Sequence, residues 1–340
     1  MFPTNLSTVP TVAFAINGVP QQYPDGYSQQ WSLNMQREVV PSLLVDIGYI
    51  GSKGTKLDRT ANINQPLTAG SPLAVQGRRP YQPFAGITYR LAEASSIYHS
   101  GQIRVEKRYS AGLSFLGSYT WGNAIDNGSL WNGGVQDSYD LRGERGRSNF
   151  DVRQRLSYSY AWDLPVGKDR AHPLEGLADT LAGGWQLSGI VTLQTGQPVT
   201  AFIPNDQANV GATGQRPNAI ANPNRSRRDR DPKQWFDPNA FVLPALYTFG
   251  NAGRNTIDGP GVRNFDVSLI KNFRTGFLGE SGKIQFRSEF FNIFNHPNFN
   301  PPTGGALNAR TAAGAVSASA GSINSAQDSR QIQFGLKIYY

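Results

Sequence analysis

The sequence contains no cysteine and three histidines among 340 residues. Without cysteine, neither disulfides nor thiolate metal sites are available. No apolar run approaches the length of a transmembrane helix, which excludes a helical membrane protein. Charged residues make up 16% of the chain and the net charge of +8 is moderate, so composition alone does not indicate a nucleic-acid-binding protein.

The sequence also lacks the residue groupings that catalysis or metal binding needs. None of the three histidines has a carboxylate or a second histidine at ligand spacing, so neither a zinc site nor a catalytic triad is supported. Asp206, Asp229 and Asp231 offer oxygen ligands in a loop, but the spacing of an EF-hand is absent. We therefore expect no catalytic residue, no metal and no cofactor. The histidines are His99, His172 and His296.

Alternation of apolar and polar residues is the strongest pattern in the chain. It is clearest in Lys283–Phe294 and is repeated in the tail Ile332–Tyr340. A period of two over this length predicts a β-strand with one apolar and one polar face. A chain that ends on aromatic residues in such a strand is typical of an outer-membrane barrel, whose last strand must present an apolar face to lipid.

Treating each alternating run as a strand predicts nine strands. A short amphipathic helix is expected between them, from the spacing of Leu174, Leu177, Ala178 and Leu181. Tyr and Trp cluster towards the strand ends, as interfacial girdles do. The predicted strands are 28–38, 42–51, 97–108, 113–121, 155–164, 185–193, 263–273, 283–294 and 332–340. The clustered aromatics are Trp31, Tyr49, Trp121, Trp162, Trp185 and Tyr340.

Short turns and long loops alternate along the whole chain. The long loops are expected at 53–95, 122–151, 198–262 and 295–329. An up-and-down barrel gives this pattern, with short periplasmic turns and long extracellular loops. The sequence thus predicts an all-β, antiparallel up-and-down transmembrane barrel in the cell outer membrane, with its apolar face against outer-membrane lipid.

Two features indicate that the barrel is partial. Single-chain bacterial barrels normally have an even number of strands, so nine strands cannot close one. Residues 1–27 contain no Lys or Arg, so the apolar piece Val9–Ile16 lacks the charged flank of a secretion signal. We expect 1–27 to be a leading loop segment and 28–340 to be the C-terminal part of a barrel from a longer chain.

Five stretches carry a resemblance to a known family: Tyr49–Thr55, Tyr119–Ala124, Gly183–Gly189 with Thr195–Pro198, Phe249–Thr256 and Glu289–Phe299. In order and spacing they resemble the C-terminal barrel of TonB-dependent receptors, specifically the Oar-like group. The resemblance runs from about Tyr23 to Tyr340.

The resemblance implies a barrel of about twenty-two strands around a plug domain. It implies import of a large or scarce solute, driven by the TonB system, with the plug and the TonB contact in an N-terminal region that this chain lacks. It also implies that the outer-membrane barrel assembly machinery reads the C-terminal strand. The residues of that assembly signal are Phe334, Leu336, Ile338 and Tyr340.

Several alternatives stay open at this point. A non-transporting surface barrel with an adhesive or structural role would share the same strands, and a soluble secreted β-protein would pack its apolar faces together. An outer-membrane hydrolase would need a Ser, His and acid gathered at one place, which nothing here suggests.

Two groups of charged residues have two readings each. The basic run Arg225–Arg230 would contact anionic lipid headgroups or nucleic acid, or be a solvated loop. We favour the loop, because aromatic interleaving is missing, and expect no nucleic acid. The charges of the polar face either contact solute or plug, or pair across neighbouring strands, which we favour. They are Arg104, Glu106, Arg155, Asp266, Arg287 and Glu289.

Overall fold

The computed structural model describes residues 13–67, 71–129, 135–168, 170–274 and 282–340. Nine long strands dominate this part of the chain, as the alternation predicted. They are β1 (Tyr27–Val40), β2 (Leu43–Asn62), β3 (Ile87–Ser110), β4 (Leu113–Asp126), β5 (Gln154–Asp163), β6 (Trp185–Gln194), β7 (Val262–Arg274), β8 (Lys283–Phe291) and β9 (Gln331–Tyr339).

The remaining elements are short. One α-helix, Gly176–Ala182, lies where the leucine spacing predicted it. In the described ranges, no helix is long and apolar enough to cross a membrane. The short strands are Ile16–Gly18, Gly146–Arg147, Pro198–Val199, Asn218–Ala219, Phe241–Val242 and Ile257–Asp258, and the 3-10 turns are Gln76–Arg78, Arg142–Glu144, Pro238–Ala240 and Gly304–Leu307.

The long strands form one sheet in which each strand pairs with its neighbours in sequence. All eight pairings from β1 to β9 are antiparallel. Ile16–Gly18 adds to β3 in parallel, within the segment predicted as a leading loop, of which 1–12 lie outside the described residues. Among the described residues β1 and β9 pair on one side only, so the sheet is open. The up-and-down topology is confirmed.

The register places apolar residues opposite apolar residues on one face and polar residues opposite polar residues on the other. Leu33 and Met35 on β1 are each 75% exposed, and Phe334 on β9 is 67% exposed. Such exposure is expected of a face that contacts lipid. One apolar row is Val105, Gly117, Tyr158, Val191 and Phe265; the polar row beside it is Arg104, Ser118, Ser157, Thr192 and Asn264.

Aromatic side chains lie at both ends of the apolar face. At the loop end, the Trp31 indole Nε1 donates to the Tyr49 hydroxyl (3.3 Å), which lies 2.7 Å from Nδ1 of His99. At the turn end, the Trp185 Nε1 donates to the Leu181 carbonyl (2.9 Å), and the Lys271 ammonium lies 5.5 Å from the Trp185 ring centroid. Both positions are those of interfacial girdles. Tyr340 lies beyond β9 and is 97% exposed.

The predicted loop 53–95 is wrong in its bounds. β2 continues to Asn62 and β3 begins at Ile87, so the loop covers 63–86. The register shifts between Gly54 and Asp58, and Lys56 has a φ of 55°. A bulge interrupts the alternation on which the prediction depended, although the pairing continues beyond it.

All connections at one end of the sheet are shorter than those at the other. The turn end has 41–42, 111–112, 164–184 and 275–282, the last mostly outside the described residues. The loop end has 63–86, 127–153, 195–261 and 292–330. The predicted alternation of turns and loops is therefore present.

Replacing Val191 by Arg tests which face meets lipid. A charge near the middle of a lipid-facing strand costs about 2–4 kcal/mol, so Val191→Arg is expected to lower the free energy of unfolding in lipid vesicles by that amount. Its strand neighbour provides the matched control, because Thr192→Arg puts the same group on the polar face and should cost less. Equal losses in urea titrations of the two variants would contradict the assignment of faces.

Candidate functional site

The four long loops pack together at one rim into a structure with its own core, which we call the cap. Phe236, Phe241 and Ile257 are each 0% exposed, although all lie in loop 195–261. The Phe236 and Phe241 rings meet edge to face at 6.2 Å. Alanines fill the space around them, two from loop 292–330. The core is Ala201, Phe236, Ala240, Phe241, Ala252, Ile257, Ala309 and Ala320.

A buried ion pair joins the second loop to the third. The Arg216 Nη1 and Nη2 atoms donate to the two carboxylate oxygens of Glu144 at 2.9 and 3.0 Å. The side chains are 4% and 3% exposed. The Gln136 backbone N–H donates to the same carboxylate (3.0 Å), and the Gln136 side-chain oxygen accepts from the Arg216 backbone N–H (2.8 Å). A bidentate pair with satisfied neighbours fixes the relative position of the two loops.

Arg254 ties the third loop to the end of β4. Its guanidinium pairs with the carboxylate of Asp126 and donates to the Glu144 carbonyl (2.8 Å) and the Ser129 hydroxyl (2.9 Å). Asp126 is 2% exposed, so the pair is largely shielded from water. The next residue, Asn255, takes a φ of 56°, which asparagine tolerates better than most residues.

The side chain of Asn255 joins the second and third loops by hydrogen bonds. Its side-chain Nδ2 donates to the Arg147 carbonyl (2.6 Å) and to Oδ1 of Asn149 (2.7 Å), and its Oδ1 accepts from the Thr200 hydroxyl (2.9 Å). Asn255 belongs to the stretch Phe249–Thr256, one of those on which the family resemblance rests. Its contacts give that stretch a structural role in joining the loops.

The first loop joins the cap through Tyr139. The hydroxyl of Tyr139, a residue of the second loop, lies 2.9 and 2.8 Å from the carbonyl oxygens of Ile63 and Gln65 in the first loop, and its single proton is shared between them. Partial burial raises the pKa of Tyr139 above its ordinary value. The Gln65 side chain also donates to Asp137 (2.9 Å). The second loop is therefore joined to the first by the Tyr139 hydroxyl and by the Gln65–Asp137 hydrogen bond.

A cavity of about 390 Å³ lies between the second, third and fourth loops. Its volume falls within the range of small-ligand sites. The Nε atom of Arg216 is buried at this cavity and has no hydrogen-bond partner among the described residues. Polar lining residues include Asn149, Gln197, Arg216, Arg254 and Asn255, and apolar ones include Phe202, Pro301 and Leu307.

Asp206 has a structural role in the third loop. Its carboxylate accepts from the backbone N–H of Val210 (3.0 Å) and from that of Gly211 (2.5 Å), and from the Gln215 side chain (2.5 Å). A carboxylate that accepts several N–H groups stabilises a turn. In the described part of the chain, no three His, Asp or Glu residues gather as metal ligands do.

The stretch Glu289–Phe299 forms a turn that asparagine side chains hold. The Asn292 backbone N–H donates to Asp266 (2.8 Å), and the Asn292 side chain accepts from the backbone N–H of His296 (2.9 Å). Asn292 and Asn295 have φ of 48° and 50°. His296 therefore takes part in this turn through its backbone.

Four of the six charges predicted for the polar face form ion pairs within their own strands. Arg104 donates to Glu106 (2.7 Å) and Arg287 to Glu289 (3.4 Å), each two residues away on the same strand. In the described ranges, no ion pair of the six predicted charges crosses to a neighbouring strand, so the cross-strand pairing that we favoured is wrong for them. The register does set Asp46 opposite Arg104 on one side, whereas Ser118 faces it on the other.

The residues of the predicted assembly signal lie on β9, an edge strand of the sheet, and directly after it. Phe334, Leu336 and Ile338 share the apolar face of β9 and are 56–67% exposed, and Tyr340 follows the strand. Their reading by assembly machinery stays a prediction.

A family model described as an outer membrane beta barrel domain matches residues 1–333. No curated protein matches the sequence. Among solved structures, the outer membrane transporter YddB from Escherichia coli is similar with a TM-score of 0.45 and 9% identity, over 95% of this chain and 34% of that one.

Two further structures give similar values. The ferric preacinetobactin receptor BauA from Acinetobacter baumannii has a TM-score of 0.46 and 9% identity, over 92% of this chain and 29% of that one. The pyoverdine receptor FpvA from Pseudomonas aeruginosa PAO1, bound to pyoverdine, has a TM-score of 0.46 and 12% identity, over 93% of this chain and 32% of that one. The chain thus spans about a third of the length of these proteins.

Glu144→Gln tests whether the buried pair holds the cap together. It leaves the Arg216 charge buried without a counter-charge, which costs about 3–5 kcal/mol. We expect the loop amides to lose that much protection in hydrogen exchange. Asp140→Asn is the matched control, because it breaks an exposed pair in which the Arg142 side chain is 91% exposed, and it should change little. Equal effects of the two variants would show that Glu144 does not hold the loops.

Proposed function

We propose, from the premise that the chain belongs to the outer membrane beta barrel domain family, that it forms the C-terminal barrel segment of a TonB-dependent receptor. In the full-length protein this segment would serve energy-coupled uptake of a large or scarce solute. The protein lies in the cell outer membrane, and the finer assignment to the Oar-like group stays a prediction.

The folded cap above the polar face is the observation that carries this proposal. A barrel that only spans the membrane needs no cavity between its loops, whereas an importer must bind its solute at the outer rim before moving it inwards. The cavity offers side-chain amides, such as those of Asn149 and Gln197, which recognise hydroxyl and carbonyl oxygens. Its two guanidinium groups, of Arg216 and Arg254, already pair with Glu144 and Asp126. An oxygen-rich solute is the class that the amides fit.

The open edges of the sheet support the other half of the proposal. β1 and β9 each present a row of backbone groups that pair with no strand in the described part of the chain. In hydrocarbon such groups must be satisfied, so further strands are needed to close the wall. We propose that an N-terminal region supplies these strands, together with a plug that contacts the polar face and the TonB system.

A surface barrel with an adhesive or structural role is the second candidate. The cap would then present a binding surface to other cells or matrix, and its cavity would have no part in transport. Uptake and adhesion assays separate the two candidates, because only the importer depends on the energised inner membrane.

Gln197→Trp tests the cavity as the solute site. Gln197 is exposed at the cavity, and no hydrogen bond of its side chain occurs among the described residues, so an indole there should narrow the entrance without unfolding the cap. In cells carrying the full gene, we expect spent-medium profiling to show a solute that wild-type cells deplete. Gln197→Trp should slow that depletion about tenfold or more, since a blocked site loses its binding contacts.

Gln327→Trp is the matched control, because Gln327 is also an exposed loop glutamine but does not line the cavity. It should deplete the solute at the wild-type rate. A protonophore should stop depletion in all strains. If gene deletion leaves every solute profile unchanged but reduces surface attachment, the importer proposal is wrong and the adhesive one is supported.

A further inference from the structure

A groove of about 1270 Å³ lies outside the cap cavity, at the loop end of β4 to β7. Its floor is one register row of the apolar face, in which Tyr119 pairs with Leu156 and Leu156 with Leu193. Phe265 and Phe294, whose rings meet edge to face at 5.1 Å, extend the floor. The floor therefore belongs to the face that contacts lipid.

The groove lies at the level of the loop-end aromatic girdle. Gln154, which lines the groove, pairs in register with Trp121, one row beyond Tyr119. Trp121 is 65% exposed on the apolar face. Exposed Trp at a strand end marks the depth at which headgroups meet hydrocarbon. A molecule in the groove would thus sit at the membrane interface.

Arginines surround this apolar floor. Five line the groove, against one acidic residue, Asp258. Arg147 pairs with Asp258 at 2.8 Å, and Arg230 lies 4.0 Å from its other oxygen while stacking over Trp235 at 5.3 Å. Arg153 pairs with the buried Asp151 at 2.9 Å, so five guanidinium groups meet two carboxylates and a net positive charge remains. The five are Arg147, Arg153, Arg227, Arg230 and Arg263.

Two of these arginines have guanidinium groups without a partner in the part of the chain that the structure describes. Asn298 holds the backbone of Arg263 in place, accepting from its N–H at 2.8 Å and donating to its carbonyl at 3.2 Å. No side-chain hydrogen bond or ion pair of Arg263 or Arg227 occurs in the described ranges. Arg227 comes from the basic run Arg225–Arg230, so the cap brings that run to the apolar wall.

We propose that this groove binds the phosphorylated headgroup of a lipid of the surrounding outer membrane. The acyl chains lie on Tyr119, Leu156 and Leu193, and the headgroup phosphate faces Arg227 and Arg263. Guanidinium groups match phosphate oxygens in charge and in bidentate geometry. A free anion would use the arginines but not the floor, whereas an amphiphile uses both. The inference rests on the membrane location of the barrel and not on the import of a solute.

Lipid retention by the purified protein tests the groove. The full-length protein is extracted in detergent and titrated with lipid A, a phosphorylated glycolipid, and binding is read by native mass spectrometry. We expect a specific adduct that weakens about tenfold or more with Arg227→Glu, since a charge-assisted hydrogen bond is lost and a repulsion is added. Arg263→Gln, on β7, is a second variant that should weaken it independently.

Arg228→Glu is the matched control, because Arg228 is an exposed neighbour in the same run that does not line the groove. Retention should be unchanged in this variant. Thermal unfolding of the Arg227 and Arg228 variants should match that of the wild type, because neither side chain forms a hydrogen bond or ion pair among the described residues.

Three outcomes would overturn the inference. If Arg228→Glu weakens the adduct as much as Arg227→Glu does, the attraction is general and no site exists. If dephosphorylated lipid A is retained equally well, the arginines do not bind the phosphate group. If inorganic phosphate at the lipid's concentration displaces the adduct, the groove is a site for free anions.

Discussion

Backbone hydrogen bonding in a medium without water is the constraint on which this structure depends. In hydrocarbon each strand must pair along its whole length, and a slip of one residue would turn its apolar side chains inwards. Tight turns keep the register on the short side of the sheet. At the β3–β4 connection, Ala111 and Gly112 both have positive φ, at 50° and 78°, as two-residue hairpins require.

The cap follows different rules because it lies beyond the hydrocarbon. Its loops need no continuous row of backbone hydrogen bonds between strands. Many of their backbone N–H and C=O groups bond to side chains instead. The Asn255 side chain connects segments that share no strand pairing, and the Asn292 side chain donates to the carbonyls of His296 and Asp328. Its hydrophobic core is small and rich in alanine, so the buried Glu144–Arg216 pair carries much of the specificity of loop packing. Breaking either partner would leave a buried charge, which is costly in such an interior.

Sequence could predict the wall well and the cap poorly. Period-two alternation fixed the number and order of the strands, because burial against lipid on one face leaves a local signature. It failed beyond Gly51, where β2 continues past the apolar band and a bulge breaks the period. Glu144 and Arg216 lie 72 residues apart, and no local pattern reports a contact of that kind. The position of Arg227 at the apolar face could not be predicted from sequence either, because a basic run in a loop has no periodicity that indicates which way its side chains face.

The cavity and the groove are built on the same three segments of the cap. In each segment one residue lines the cavity and a nearby residue lines the groove. The cavity residues are Gln197, Asn149 and Asn255, and the groove residues are Gly196, Arg147 and Asp258, respectively. The Arg147–Asp258 pair closes this shared wall. A molecule bound on either side would restrict the motion of segments that the other side also uses, which is the physical requirement for coupling between two sites.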